Sequence, residues 1–245
     1  MVLFFWLLSG WAVSISTSLA QEISVSDDRS QPVFRLVAPE QMKAHVEAFI
    51  PILMEIYSDS GLAFAIHYRP LARSSMLANR GDFDGEVARI KDTNETYTNL
   101  IEINVPIAEI NLHLMYRKDQ EHIPKSIQEL KSFSTVIPMG SIFQKRALRG
   151  GKIYETTKLE NILAMLYRKR VRFSLISDYQ YSSMPDDTLK NYANSIVFDP
   201  EILETQSVYH YIHVRHKKYL NVLEKNFQKA RESGYFEQSH SPQRK

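Results

Sequence analysis

Two arginines, Arg73 and Arg89, stand in a run from Ile66 to Pro106 where strand-like and helix-like patterning alternate. The planar fork of an arginine grips a carboxylate through two parallel hydrogen bonds, so either side chain is a candidate clamp for an anionic solute. Plainer roles compete. Arg89 is equally suited to an ion pair with Asp84 or Glu86, and Arg73 to the solvated face of a helix. Tyr68 and Tyr97, in the same run, offer rings for stacking on a ligand or for ordinary packing. Further along, Gly140-Ser141 falls at a strand-to-helix turn, where free backbone N–H groups and the helix dipole favour an anion; Ser141 could instead cap the helix. Asp178 closes another strand, where capping the following segment is its simplest use. His210, His213 and His216 invite a metal reading, but residues three apart on a strand point to opposite faces, and no metal or cofactor is expected.

These groups must be positioned by a chain that alternates strand and helix. Strands are expected over 33–37, 62–68 and 83–90, with helices beginning at Pro39-Glu40 and at Leu71. Pro51 should interrupt the first helix or begin a second, and Gly61 should stop it. After Pro106, strands are expected at 111–116, 135–137, 171–176 and 209–214, with a weaker one at 152–154. Helices are expected at 126–130, 159–170 and 220–234. Alternation of this kind implies α/β architecture, a parallel sheet with helices on its faces. Residues 21–31 read as a flexible leader and 239–245 as a disordered tail.

Composition narrows the class. Lys plus Arg is 30 against 28 Asp plus Glu, a net charge of +2, which gives no electrostatic case for nucleic acid. Cys is absent, which removes disulfides, thiolate nucleophiles and a lipid-attachment cysteine. No Gly-x-Ser-x-Gly or His-Glu-x-x-His occurs, so hydrolase and metalloprotease chemistry lack support. The apolar run from Met1 to Val13 is shorter than the ~20 residues that span a bilayer. With Ser18 and Ala20 at the minus-three and minus-one positions, residues 1–20 are expected to be a cleaved signal peptide, although no Lys or Arg precedes the apolar run.

Four stretches resemble the family-3 bacterial extracellular solute-binding proteins, the polar amino-acid receptors of ABC importers. Arg80-Gly-Asp-Phe-Asp-Gly85 is similar to the Gly-x-x-Asp turn of lobe one, and Asn104-Val-Pro106 to a crossover that usually reads Ser-x-Pro-Tyr. Pro124 to Leu130 with Thr135 to Ser141 resembles the entry to lobe two, and Leu220 to Gly234 the closing helix of lobe one. The resemblance covers about residues 32–238. It implies a two-lobed type 2 periplasmic-binding fold with two crossover segments, lobe one over 32–105 plus 215–238 and lobe two over 106–214. It further implies a monomeric periplasmic receptor for a small polar or zwitterionic solute, non-catalytic, read by a membrane permease or a sensor. In such receptors a Thr-x-x-Arg element ahead of the crossover holds the ligand α-carboxylate; that slot here is Tyr97. Arg89 or Arg73 would take over, or the ligand lacks the group. Asp178 stands where these receptors place the carboxylate that receives a ligand ammonium, and Gly140-Ser141 would complete the site. An orphan interaction or sensory module without a small ligand is the alternative, and a dehydratase-type enzyme of the cleft is the third reading.

Overall fold

The structure is a computed structural model that describes the backbone of residues 23–25 and residues 32–236. The expected signal peptide and the C-terminal tail lie outside the described residues. Strand β1 (Ile23–Val25) pairs antiparallel with β3 (Ala63–Arg69), so part of the stretch expected to be a flexible leader is an edge strand.

The N-terminal half opens with β2 (Val33–Pro39), a single 3-10 turn at Glu40–Met42 and α1 (Lys43–Asp59). Helix α1 buries Val46, Phe49, Leu53, Ile56 and Tyr57 along one stripe, which is the 3.6-residue period visible in the sequence. The helix runs straight through Pro51. That residue sits on the exposed face, and the buried stripe on both sides of it holds the helix against the sheet. Strand β3 then leads into α2 (Leu71–Arg80) and β4 (Gly85–Ile90). Strand β2 lies between β3 and β4, parallel to both.

Strand β5 (Leu100–Arg117) begins eleven residues before the strand expected at 111–116. Eighteen residues long, it pairs antiparallel with β10 (Glu204–His213) from Leu100↔His213 to Leu112↔Glu204. The register shifts on either side of Tyr209, the residue opposite Pro106. An irregular site is where a proline without an N–H fits inside a sheet.

The C-terminal half holds α3 (Ile127–Leu130), β6 (Thr135–Pro138), α4 (Ile142–Ala147), β7 (Ile153–Thr156), α5 (Leu159–Tyr167) and β8 (Phe173–Ser177). Strand β6 is flanked by β7 and β8, parallel to both. Helix α5 stops three residues earlier than its pattern suggests. Lys169 takes a left-handed conformation (φ 58°), and the N–H of Arg170 returns to the carbonyl of Met165, a closing turn of the kind that ends helices. Helices α6 (Asp178–Ser182) and α7 (Asp186–Tyr192) and strand β9 (Ile196–Phe198) were not expected. Helix α8 (Leu220–Glu232) closes the described chain, its Leu223, Phe227 and Ala230 buried.

Two groups of core clusters divide along β5 and β10. Phe34, Leu53, Ile66, Ile107, Ile212 and Phe227 share one cluster; Leu112, Ile137, Phe143 and Phe173 share another. From Leu112 onward β5 pairs with β8, whereas β10 from Val208 onward pairs with β4. The chain therefore crosses between halves inside both strands. Val208 and Ile212 pack in the cluster that holds Phe34 and Leu53, and Tyr209 to Ile212 pair with β4 on one side and β5 on the other.

Candidate functional site

Where the two crossing strands meet, a cavity of about 150 Å³ opens between the halves. The first half contributes Met42 from the 3-10 turn, Val46 and Phe49 from the face of α1, and Arg89 from β4. The second half contributes Ile142 and Phe143 at the start of α4, Leu159, and Tyr179 and Gln180 from α6. Each element is placed for a local reason. The α1 stripe that fills the first core also turns Val46 and Phe49 toward the crossing. Ser177 begins α6 with a capping box: its hydroxyl accepts from the N–H of Gln180, and Gln180 Oε1 accepts from the N–H of Ser177. That reciprocal pair fixes the Gln180 side chain in the wall.

Of the candidate residues, Arg89 and Ser141 line the cavity. Arg89 is engaged on several sides: Nε donates to Glu86 Oε1 at 2.6 Å, and Nη2 donates to the Leu71 carbonyl (2.9 Å) and to Ser74 Oγ (2.6 Å). Its ion-pair partner is thus Glu86 and not Asp84. Glu86 is fully buried, and its Oε2 has no hydrogen-bond partner among the described residues. Asp84 serves elsewhere, accepting from the Arg35 N–H, Arg215 and His216. Ser141 does not cap α4; its Oγ accepts from Gln180 Nε2 at 3.0 Å, and Gln144 donates to Gln180 Oε1 at 2.7 Å.

The other candidates stand apart from the cavity walls. Arg73 is exposed on α2. Tyr97 packs beside Val37, Ala78 and Phe83 in a separate cluster. Tyr68 packs against the first core with Lys43 over its ring, and its hydroxyl is buried without a partner among the described residues; burial and the nearby Glu47 push its pKa up to about 12. Gly140 touches the opposite half instead of facing the cavity: a Cβ there would lie 2.6 Å from the Ala72 Cα. Asp178 begins α6, and its carboxylate accepts from the Tyr179 N–H at 2.8 Å and from the Asn111 side-chain amide at 3.1 Å. Burial raises its pKa, and those donors offset the rise only in part.

Three residues at the site were not singled out in the sequence: His45, Tyr179 and Gln180. The His45 Nε2 lies 3.1 Å from Ser182 Oγ, and its ring packs on Tyr179 across the junction, with centroids 4.8 Å apart. Its Nδ1 is buried without a partner among the described residues, and burial lowers its pKa. Burial, then the charge on Asp178, push the Tyr179 hydroxyl up to about 12. The Ser-x-x-Gln spacing from Ser177 to Gln180 was a readable capping signal. The position of His45, one residue before the buried stripe of α1, carried none. Arg146 adds a further contact across the junction, donating to the carbonyls of Lys91 (3.2 Å) and Asp92 (3.1 Å).

No family model and no curated protein matches the chain. Solved structures do match in shape. A histidine kinase sensor domain with similarity to periplasmic binding proteins superposes with a TM-score of 0.69 at 10% identity, covering 85% of this chain and 94% of its own. An ancestral arginine-binding protein bound to arginine superposes with a TM-score of 0.64 at 12% identity, covering 86% and 97%. The substrate-binding protein of an amino-acid ABC transporter gives 0.63 at 13% identity, covering 84% and 96%. The fold is that of the periplasmic binding proteins, as the sequence resemblance implied. No helix among the described residues is long and apolar enough to cross a membrane.

Proposed function

We propose that this chain is a non-catalytic solute receptor whose two lobes close on a small molecule at the crossing of β5 and β10. The lobes exchange chain inside those strands, near residues 106–111 and 204–208. One observation carries the reading. Two hydrophobic cores meet at the antiparallel pair β5–β10, with Ile110 packed against both and Ile90 of β4 in the second, and the cavity is lined by residues of both. Hinged lobes around an interlobe site convert binding energy into a change of shape. The receptor works in the periplasm, delivered by the cleaved leader over residues 1–20, as a monomer. Its membrane partner is an importer permease or the remainder of a sensor; the solved structures of similar shape include proteins of both kinds.

The test combines thermal denaturation with small-angle scattering across amino acids, organic acids, polyamines, short peptides and small uncharged alcohols and aromatics. A ligand that binds only the native state stabilises it by about 2.7 kcal/mol at a hundredfold excess over Kd. One member of the panel should raise Tm and reduce the radius of gyration together. Silence across the whole panel would overturn the receptor reading. It would favour an orphan interaction module, an alternative supported by the pairing of the cavity's polar groups with one another.

A further inference from the structure

A net charge of +2 hides where the cations stand. In the second half, β7, β6, β8 and β5 lie side by side, the first three parallel and β5 antiparallel to β8. The N-terminal ends of β7, β6 and β8 and the C-terminal end of β5 therefore share one edge of the sheet, and basic residues collect there. Lys152, just before β7, accepts through its carbonyl from the Thr135 N–H at 3.0 Å, and the N–H of Arg172, just before β8, donates to the Ser134 carbonyl at 3.0 Å. Arg117 ends β5, one residue beyond the Tyr116↔Phe173 pair, and Lys118 follows it. Lys131 lies against the turn ahead of β7, where a Cβ on Gly151 would come within 3.2 Å of its Cα. Arg149 stands in that same turn, and Arg168 and Arg170 in the one joining α5 to β8. With neighbouring strands ~4.8 Å apart, these ends make a row roughly 15 Å long.

The row is short of acids. Among the described residues, Lys118, Lys131, Arg149, Lys152, Arg170 and Arg172 enter no ion pair, whereas Asp119 is held by Arg117 and Lys169. Glu204 is close enough to Lys131 to feel its charge. All six of these unpaired cations except Lys131 are exposed. Two large exposed rings accompany them, Tyr167 beside Arg168 and Tyr154, which has the Lys152 ammonium 5.7 Å from its centroid. Like charges this close repel within the Debye length of about 8 Å at physiological ionic strength, and an anionic surface offsets that repulsion. The cavity lies at the opposite ends of the same strands, where Pro138 and Ser177 line it, so the row takes no part in the cleft.

The geometry points to an anionic phospholipid surface as the partner of this end of the second half. A single small anion needs donors that converge on one point. A layer of headgroups instead presents many separate negative charges and an interface where amphipathic rings settle, which matches cations drawn from four separate segments and flanked by tyrosines. Such docking is independent of what the cavity holds and leaves the cleft clear of the bilayer.

The experiment co-sediments the chain as secreted with vesicles of phosphatidylcholine, alone or mixed with phosphatidylglycerol, at low and high salt. Binding should need phosphatidylglycerol and should vanish at high salt. Arg149→Gln with Lys152→Gln changes two exposed side chains and should weaken binding roughly 25-fold, at about fivefold per cation near the surface. Lys217→Gln with Lys218→Gln removes the same charge from exposed positions in the first half and should leave binding near wild type. No binding to the mixed vesicles at low salt, or equal binding to both kinds, would overturn the assignment. Equal loss in the two double variants would also overturn it, since net charge and not this row would then be at work. Capture by soluble polyglutamate without binding to vesicles would give the row to an acidic protein and remove the lipid.

Discussion

The turn at Gly140 lies directly on the first turn of α2: a Cβ built at Gly140 would meet the Cα of Ala72 at 2.6 Å and its amide nitrogen at 2.7 Å. Backbone from the two halves thus comes together at a residue whose φ of +86° already favours glycine. This close approach depends on the missing side chain.

Gly140→Ala should therefore act twice. The left-handed conformation costs about 1–2 kcal/mol for a residue with a Cβ, and the clash with Ala72 resists approach of the halves. Scattering should report a larger radius of gyration, and any ligand-induced rise in Tm should shrink. Because the atoms met at closest range are backbone, adding Ala72→Gly should not restore compactness; recovery in the double variant would show that the Ala72 side chain, and not its backbone, holds the halves apart.

Arg89 and Glu86 form an almost fully buried ion pair. Removing one member leaves an uncompensated buried charge, and such changes cost about 3–5 kcal/mol. Arg89→Ala should lower stability by that order in urea denaturation, with or without ligand. Replacing the pair together, Arg89→Met with Glu86→Leu, should cost much less. If Arg89 were instead a ligand clamp with only minor structural duties, Arg89→Ala would leave the ligand-free midpoint near wild type.

His210 is fully buried between Tyr57 and the Val87 carbonyl. Burial pushes its pKa down to about 4, against the opposing effect of the carbonyl. In the unfolded chain the ring titrates near its ordinary value of about 6.5. Between those values the unfolded chain holds a proton that the native state lacks, so stability falls as pH falls through this window. The contribution is complete above about 6.5, and its loss by pH 4 is on the order of 3 kcal/mol at ~1.4 kcal/mol per unit. His210→Gln can still donate to Val87 and accept from Tyr57, and it should flatten the slope measured by denaturation from pH 7 to pH 4. An unchanged slope would assign the titration to other groups.

Where local pattern decides structure, the chain was readable. The stripe Val46, Phe49, Leu53, Ile56 fixes α1, and the apolar runs after Gly61 and after Ser134 fix β3 and β6, because burial of one face and the 3.6 or 2.0 period leave little choice. The α/β alternation follows, and with it the fold. The early start of β5 was not legible: Pro106 is accommodated inside the strand where its partner strand shifts register, at Tyr209, about a hundred residues away.

The site divides in the same way. Sequence alone determined which residues carry charge or a ring: Arg89 as a cation near a strand end, Gly140-Ser141 as a turn, Asp178 as a strand-terminal carboxylate. Only the tertiary structure decided what those groups do, since a charge acts on whatever lies within hydrogen-bond reach. It gave Arg89 to Glu86, Asp178 to Asn111 and Ser141 to Gln180. Periodicity records which face of an element is buried, but the partner across a cavity is set by how two distant segments meet, and no local spacing encodes that meeting.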